Sequence, residues 1–220
     1  MLNEIFYGKC PACSGAAAIN EPLCENCINN IKPYIYFCGK CGFPINKAGA
    51  SCYRCSGKIS NKITNIYALY HYDKYVRQLI IQMKFHYNFR LKYTLHHLIN
   101  LPNFVTKYDG ITTVPSHFLR RFMRFYHPAD IISKYTSSVL NVPILHNLKR
   151  VRYTQFQSHI ERKERKENVK NAFYCKPLKE HEKNILLIDD VFTTGATINE
   201  CVKALHIAGA KRIDVLVFAK

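Results

Sequence analysis

The chain has 220 residues, of which 48% are hydrophobic and 21% are charged, and its formal net charge is +17. The hydrophobic fraction is too high for a disordered chain, and no apolar run reaches the roughly 18–20 residues of a membrane-spanning helix. The first residues lack the basic start and the apolar stretch of a secretory signal, so we expect a cytoplasmic protein with one ordinary domain and a smaller module.

Positive charge is concentrated in one part of the chain. About half of the excess lies in residues 111–180. A field of this sign attracts nucleic acid, a phosphorylated small molecule or an anionic membrane surface. The last partner would place the protein peripherally at the inner face of the membrane.

Eight of the ten cysteines form four Cys-x-x-Cys pairs within the first 55 residues. This spacing lets a tight knuckle present two sulfurs to one ion, and two knuckles complete a tetrahedral zinc site. Disulfides are an alternative, but cytosolic thiols stay reduced, and an iron–sulfur cluster also takes four thiolates. We predict two structural Zn²⁺ ions per chain. The predicted ligands are Cys10, Cys13, Cys24, Cys27, Cys38, Cys41, Cys52 and Cys55.

The spacing alone leaves open which cysteine pairs share an ion. Each gap between pairs has ten residues, so sequential and interleaved sets fit equally well. We favour sequential sets because short loops close at lower entropic cost. Gly15 and Gly42 are expected to supply the permissive backbone of the knuckles. Residues 1–60 are thus predicted to form a double zinc-ribbon module that is too poor in hydrophobic residues to fold without metal.

From about residue 61 the chain alternates short apolar strands with amphipathic helices. This alternation predicts an α/β fold, with a mostly parallel sheet flanked by helices over residues 61–220. The run 184–189 is typical of a central strand buried on both faces. In the helix predicted over 128–140, the spaced apolar residues are Ile131, Ile132, Tyr135 and Val139. The other predicted strands are 64–70, 110–115 and 212–218, and the other predicted helices are 75–85, 90–99 and 197–208.

The sharpest functional signal is segment 185–197, in which an apolar strand ends in two acids and a threonine-rich loop opens a helix. Open α/β sheets bind ligands at such a place, and amides at a helix N-terminus accept phosphate. Adjacent carboxylates suit sugar hydroxyls and Mg²⁺. Together these groups describe a receptor for a ribose 5-phosphate. The predicted residues are Asp189, Asp190, Thr193, Thr194, Gly195, Ala196 and Thr197.

This loop resembles the phosphoribosyl pyrophosphate (PRPP) motif of type I phosphoribosyltransferases, since the strand, the acid pair and the TTGAT sequence occur in order. The resemblance implies a type I phosphoribosyltransferase-like sheet that binds PRPP together with magnesium. In such enzymes a nucleophile displaces pyrophosphate at C1 of the ribose. No acceptor-recognition element and no general base can be picked out, so the sequence leaves catalysis open.

Four N-terminal Cys-x-x-Cys pairs followed by such a domain resemble the ComF family of competence proteins, and the similarity covers essentially the whole chain. Segments 84–88, 114–127 and 152–173 match further family patterns, with departures at Tyr87 and at residues 125–128. The resemblance implies a role in natural transformation. The protein would help single-stranded DNA into the cytoplasm, with a membrane channel and a helicase as partners.

The basic stretch has more than one interpretation. Cations alternate with aromatic residues over 118–126, as on surfaces that bind single-stranded DNA, although a core helix with an arginine edge gives the same pattern. The run 161–170 lies where a mobile active-site loop would sit in phosphoribosyltransferases, or it is a solvated helix with internal ion pairs. The candidate contacts to DNA or pyrophosphate are Lys84, Arg120, Arg121, Arg124, Arg150 and Arg152.

Three functions are compatible with these features. We favour a DNA-handling protein of natural transformation for which PRPP is a ligand or regulator. The alternative is an active phosphoribosyltransferase that transfers ribose 5-phosphate from PRPP to an unidentified acceptor in nucleotide metabolism. A PRPP-sensing regulator on duplex DNA ranks last, because no helix-turn-helix is evident.

Overall fold

The structure of the protein is a computed structural model that describes residues 7–18, 21–34, 36, 38, 41–43, 45, 52, 62–85, 89–104, 106–116, 127–152 and 165–220. Four of the predicted site residues lie outside these ranges, and they are Cys55, Arg120, Arg121 and Arg124. No helix in the described part of the chain combines the length and the apolar character needed to cross a membrane.

Strands and helices alternate along the described residues, which confirms the predicted α/β class. The strands are β1 (Tyr7–Lys9), β2 (Ala16–Ala18), β3 (Ile66–Tyr70), β4 (Gly110–Thr113), β5 (Leu148–Arg150), β6 (Phe173–Cys175), β7 (Asn184–Val191) and β8 (Arg212–Ala219). The helices are α1 (Glu25–Asn30), α2 (Lys74–Phe85), α3 (Phe89–Leu98), α4 (Pro128–Leu140), α5 (Arg165–Val169) and α6 (Ala196–Ile207).

The central sheet consists of four parallel strands in the order β3–β8–β7–β4. Strand β7 lies between β8 and β4, and Ile188 pairs with Leu216 on one side and with Thr113 on the other. Its apolar residues 185–188 are 0% exposed, as predicted for a strand buried on both faces. Because the strands are parallel, their carboxyl ends lie at one edge of the sheet, where β7 delivers Asp189 and Asp190.

Each face of the sheet has its own hydrophobic core, and alternate residues of β7 point to opposite faces. Leu186 and Ile188 belong to the core that α2, α3 and α4 cover. Ile185 and Leu187 belong to the core that includes α6 and the antiparallel pair β5–β6. The side-chain period of two along a strand produces this division.

One predicted core position is wrong. Val139 of α4 is 56% exposed, although Ile131 and Ile132 of the same helix are buried as expected. The buried residues of α4 all lie between Pro128 and Thr136, and in its last turn Leu140 packs against the core whereas Val139 is exposed.

The N-terminal segment packs against the sheet domain rather than standing apart from it. Leu23 and Ile31 share a hydrophobic cluster with residues of α3 and β3. The hydroxyl of Thr94 on α3 donates to the carbonyl of Pro22 at 2.7 Å. Farther along, the N–H of Tyr34 donates to the Leu69 carbonyl of β3 at 2.9 Å. The few hydrophobic residues of this segment therefore contribute to the main core.

Candidate functional site

The first cysteine cluster consists of the first two Cys-x-x-Cys pairs. The sulfurs of Cys10, Cys13, Cys24 and Cys27 lie within 4.8 Å of one another, and those of Cys13 and Cys24 are 3.6 Å apart. Zn–S bonds of about 2.3 Å set the sulfurs of a tetrahedral site about 3.8 Å apart. The four thiols can therefore hold a metal ion, and their softness and geometry are compatible with zinc.

Backbone N–H groups point at the sulfurs of this cluster. Cys24 donates to the sulfur of Cys10, and Gly15 donates to the sulfur of Cys13, both at 3.4 Å. Burial acts to raise the pKa of Cys10, but the N–H donors, led by that of Cys24, lower it to about 7. Donors of this kind favour the thiolate that a metal requires.

The second cysteine cluster brings together Cys38, Cys41 and Cys52, whose sulfurs also lie within 4.8 Å of one another. The sulfurs of Cys41 and Cys52 are 3.6 Å apart. The predicted fourth ligand, Cys55, lies outside the described residues. Both clusters group cysteines that are sequential in the chain, which agrees with the sequential sets rather than with interleaved ones.

The two clusters repeat one backbone knuckle. In the first, the N–H of Cys10 donates to the carbonyl of Gly15 at 2.7 Å. In the second, the N–H of Cys38 donates to the carbonyl of Phe43, also at 2.7 Å. Both bonds span five residues and close the same tight turn around the first cysteine of a pair.

The left-handed residue of each knuckle directly follows the second cysteine, which corrects one expectation. It is Gly42 (φ 65°) in the second knuckle, as predicted, but Ser14 (φ 64°) rather than Gly15 in the first. At Gly42 a side chain is also sterically excluded, because a Cβ would lie 2.8 Å from Cγ2 of Ile66. The first knuckle is more exposed and accepts a serine there.

A cleft of about 380 Å³ lies at the carboxyl edge of the sheet, where β7 ends. Its volume suits a small-molecule ligand. All seven residues predicted to bind a ribose phosphate line this ligand cleft. The complete lining is Tyr72, Lys84, Asp189, Asp190, Val191, Phe192, Thr193, Thr194, Gly195, Ala196, Thr197 and Ile198.

Residues 193–197, here called the phosphate loop, lead from β7 into α6. Gly195 adopts φ 75° at the N-cap of the helix, and its carbonyl accepts the N–H of Asn199 at 2.8 Å. A Cβ at Gly195 would lie 2.7 Å from Cζ of Phe192, so both conformation and packing require glycine. The hydroxyl of Thr194 accepts the N–H of Ala196 at 3.4 Å. The loop thus presents the N-terminal amides of α6 to the cleft.

The two acids of the cleft have different electrostatic surroundings. Burial and the neighbouring Asp190 carboxylate raise the pKa of Asp189 well above its usual value. Burial also opposes ionisation of Asp190, but its ion pair with Lys84 outweighs this effect and lowers the pKa of Asp190. One acid is therefore held as a carboxylate, whereas its neighbour ionises only at a cost.

The predicted cationic contacts lie in different places. Lys84, at the end of α2, lines the cleft and pairs with Asp190. The guanidinium of Arg150 lies 5.3 Å from the ring centroid of Phe173, and that of Arg152 donates to the carbonyl of Asn168 at 3.1 Å. Neither arginine is among the residues that line the cleft.

The described end of the charged run 161–170 behaves as a helix with an internal ion pair. It forms α5, and Lys170 pairs with Glu167 at 3.3 Å. This geometry favours the solvated-helix interpretation for that part of the run.

Sequence reasoning missed four lining residues of the cleft, which are Tyr72, Val191, Phe192 and Ile198. Tyr72 follows β3 by two residues and contributes to the lining, as expected for a residue just past a strand end at the same edge of a parallel sheet. Phe192 lies within the motif itself, yet its role as a buried support beneath Gly195 has no sequence signal. The signal that points to Tyr72 is the end of β3 at the same edge of the parallel sheet, one strand removed from the end of β7.

The chain was compared with known proteins. None of the protein-family models searched matches it. It is 32% identical to competence protein F of Haemophilus influenzae over the full length of both chains. It is 25% identical to the DNA utilization protein YhgH of Salmonella typhi, over 94% of this chain and 95% of the relative. It is 26% identical to the protein of that name in Escherichia coli K12, over 95% of this chain and 88% of the relative. Full-length similarity at this level shows that the chain belongs to the competence protein F family.

Proposed function

We propose that this protein handles single-stranded DNA during natural transformation and binds PRPP in its ligand cleft. The observation that carries the PRPP assignment is the position of the acid pair beside the phosphate loop at the carboxyl edge of the sheet. An anion receptor and a receptor for hydroxyl groups then lie in one cleft of suitable volume. A sugar phosphate is the ligand class that uses both.

Each part of the cleft has a distinct role in this proposal. The amides and hydroxyls of the phosphate loop bind the 5-phosphate. Asp190, kept ionised by Lys84, accepts hydrogen bonds from the ribose hydroxyls, and Asp189 accepts or donates according to its protonation. Lys84 adds positive charge to a cleft that receives a highly anionic ligand.

Magnesium enters with the ligand in this proposal. Among the described lining residues, two are acids, and one of them is already paired with Lys84, which leaves few oxygens for a resident ion. Mg²⁺ prefers substrate phosphates plus one or two carboxylates, and the diphosphate of PRPP supplies the missing oxygens. Zinc, by contrast, finds four thiols in the first cysteine cluster and three described thiols in the second, and we assign it a structural role there.

The DNA role rests on the family and on charge. The names of two relatives refer to competence and to DNA utilization. The net charge of +17 suits a polyanionic partner. We place the activity in the cytoplasm, with a DNA-uptake channel and a helicase as partners and with Arg120, Arg121 and Arg124 as DNA contacts.

Calorimetric titration of Mg²⁺-PRPP into the zinc-loaded chain tests the cleft. The wild type should bind, and an Asp189→Asn/Asp190→Asn double variant should lose binding because the acceptors for the ribose hydroxyls are removed. Glu180→Gln is the matched control, since this acid is 91% exposed and distant in sequence from the loop. A wild type that does not bind PRPP overturns the assignment.

Gene deletion tests the cellular role. We expect loss of transformation without a requirement for added purines or pyrimidines. Complementation with an Arg120→Glu/Arg121→Glu/Arg124→Glu variant should fail if these residues contact DNA, and DNA binding by the wild type should fall steeply with salt. An auxotrophy would instead identify a metabolic enzyme.

An active phosphoribosyltransferase is the second candidate, because the complete motif 193–197 lines an open cleft. Positioning and charge stabilisation supply most of the catalysis in such chemistry. Release of pyrophosphate from PRPP in the presence of candidate acceptors would establish it. PRPP binding without turnover across an acceptor screen would leave the DNA-handling role with PRPP as ligand.

A further inference from the structure

Lys220 lies between the second cysteine cluster and the ligand cleft. Its ammonium is 3.8 Å from the ring centroid of Phe192, which lines the cleft. Its carbonyl accepts the N–H of Tyr72, another lining residue, at 2.8 Å. The same carbonyl accepts the hydroxyl of Tyr34 at 3.1 Å, from the segment that connects the two cysteine clusters. One residue thus contacts both regions.

The second knuckle rests on the side chain of this lysine. A Cβ at Gly42 would lie 3.4 Å from Cδ of Lys220 as well as 2.8 Å from Cγ2 of Ile66. Gly42 directly follows Cys41, so the metal-binding turn lies close to the lysine stem and to β3, with no room for a side chain at Gly42. A change in the shape of this turn therefore acts on the position of Lys220.

On the other side, the lysine acts on the phosphate loop through Phe192. The ring of Phe192 is buried and lies against Gly195, where a Cβ would come within 2.7 Å of Cζ. The backbone N–H of Phe192 donates to the carbonyl of Ala219 at 2.9 Å. With its backbone tied to β8 and its ring under the ammonium, Phe192 determines where Gly195 and the first amides of α6 lie.

We infer that Lys220 is a positioning residue that couples the second cysteine cluster to the phosphate loop. A metal ion in that cluster holds the knuckle in one conformation. The knuckle and Tyr34 hold Lys220 in position, and Lys220 in turn holds the ring of Phe192 beneath Gly195. Because coupling between two sites is reciprocal, a ligand in the cleft must favour retention of metal in the second cluster. Only the identity of that ligand as PRPP rests on the proposed function.

Hydrogen exchange on the zinc-loaded full chain tests the coupling without any ligand. We expect the amides of residues 192–197 to exchange roughly three- to tenfold faster in Lys220→Met, as loss of one cation–aromatic contact predicts. Lys74→Met is the matched control, since the Lys74 ammonium lies 4.8 Å from the ring centroid of Tyr75 and Lys74 does not line the cleft. It should leave the loop unchanged.

A double-mutant cycle separates coupling from local damage. Cys41→Ser should also accelerate exchange in the loop, and combining it with Lys220→Met should add little, because both act through one residue. Tyr34→Phe gives a milder second perturbation that leaves every cysteine in place. Additive effects, or an unchanged loop in Lys220→Met, overturn the inference. Unchanged exchange in the amides of β7 verifies that each variant is folded.

Zinc release into a chelator, measured with and without Mg²⁺-PRPP, provides the reciprocal readout. PRPP should slow the release of about one of two zinc ions several-fold in the wild type, and this protection should disappear in Lys220→Met. If the wild type binds PRPP but the ligand does not protect zinc, the inference fails while the proposed function stands. If PRPP does not bind at all, the proposed function fails and the exchange cycle alone decides the coupling.

Discussion

The two cysteine clusters share a knuckle geometry but differ in what they pack against. Around the first cluster, Leu23 and Cys27 lie in the hydrophobic core beside α3, and Thr94 holds the segment through the carbonyl of Pro22. Around the second, Gly42 packs on β3 and on Lys220, next to the ligand cleft. The same local motif therefore packs against the main hydrophobic core in one cluster and against β3 and Lys220 in the other.

This difference separates two tasks that one type of metal site can perform. A site whose surroundings are part of the main core mainly stabilises the fold. A site that packs on a sheet edge close to a binding loop contributes less to the stability of the core and more to the conformation of the loop. The following predictions test that division, beginning with the largest expected effect.

Loss of the first metal site should have the greatest effect on stability. Cys27 is 0% exposed, and Cys27→Ser removes one ligand and places a hydroxyl in the core. We expect loss of one zinc and a decrease of about 3 kcal/mol or more in the free energy of unfolding. Metal analysis and urea unfolding measure both quantities.

Cys41→Ser is the matched variant in the second cluster, since Cys41 is also buried. It should release one zinc as well, but with a smaller loss of stability and a larger loss of PRPP affinity. Equal stability losses in the two variants would remove the distinction between the clusters.

Gly195→Ala should cause the largest loss of PRPP binding from a single methyl group. The left-handed backbone (φ 75°) and the contact with Phe192 both oppose a Cβ. Together they disfavour the conformation that the structure shows by about 2 kcal/mol, so the free loop should relax away from it, and restoring it on binding should weaken affinity by up to roughly 30-fold. Gly42→Ala introduces similar strain at the second knuckle and should reduce unfolding stability more than affinity. Calorimetry and unfolding on both variants check this, and a reversed order of effects would contradict it.

Much of this architecture follows from local sequence signals. The cysteine spacing, together with the lower entropic cost of short loops, predicts the sequential clusters, and the apolar run before Asp189 predicts the central strand β7, because each signal depends on neighbours in the chain. Errors occur where tertiary packing decides. Val139 fits the helical period but is exposed beside Leu140, which packs against the core, and Ser14 rather than Gly15 takes the left-handed position.

Long-range contacts explain what the sequence does not predict. The ion pair between Lys84 and Asp190 joins residues that are more than 100 positions apart. The contacts of Lys220 join β8 to both the N-terminal segment and the phosphate loop. No spacing rule relates such residues, so the roles of Lys84 in the acid pair and of Lys220 beneath the loop emerge only once the sheet is assembled.

Each cysteine cluster lies near a hydrogen bond that joins the N-terminal segment to the sheet domain. Removing the hydroxyl from each of these bonds should again distinguish the effects of the two clusters. Thr94→Val removes a buried hydroxyl donor from the carbonyl of Pro22 and should cost about 1.5 kcal/mol of unfolding stability. Tyr34→Phe removes the bond to the Lys220 carbonyl from a half-buried position and should cost less, about 0.5 kcal/mol. Only the tyrosine variant should alter PRPP affinity. Thermal unfolding and calorimetry measure the two effects, and an altered affinity in Thr94→Val would argue against separate tasks.

In the cleft itself, Asp189→Asn is expected to change stability in the direction opposite to the substitutions above. Burial and Asp190 raise the pKa of Asp189, so above that pKa the folded protein carries a carboxylate that its surroundings disfavour. Asp189→Asn removes this cost and should raise the free energy of unfolding at pH 8.

As the pH falls through the raised pKa of Asp189, the wild-type acid becomes neutral in the folded state and the stability advantage of the asparagine variant shrinks.

Asp190→Asn should behave in the opposite way. The Lys84 ion pair lowers the pKa of Asp190, so its stabilising contribution is present above the unfolded-state pKa, and this variant should lose stability at pH 8. Urea unfolding from pH 8 to pH 6, with the same zinc loading in all proteins, measures these effects. Each variant is compared with the wild type at the same pH, so the contribution of metal release cancels in the difference between their free energies of unfolding. If both substitutions destabilise the protein at pH 8, the electrostatic surroundings of Asp189 and Asp190 are not opposite, and this prediction is wrong.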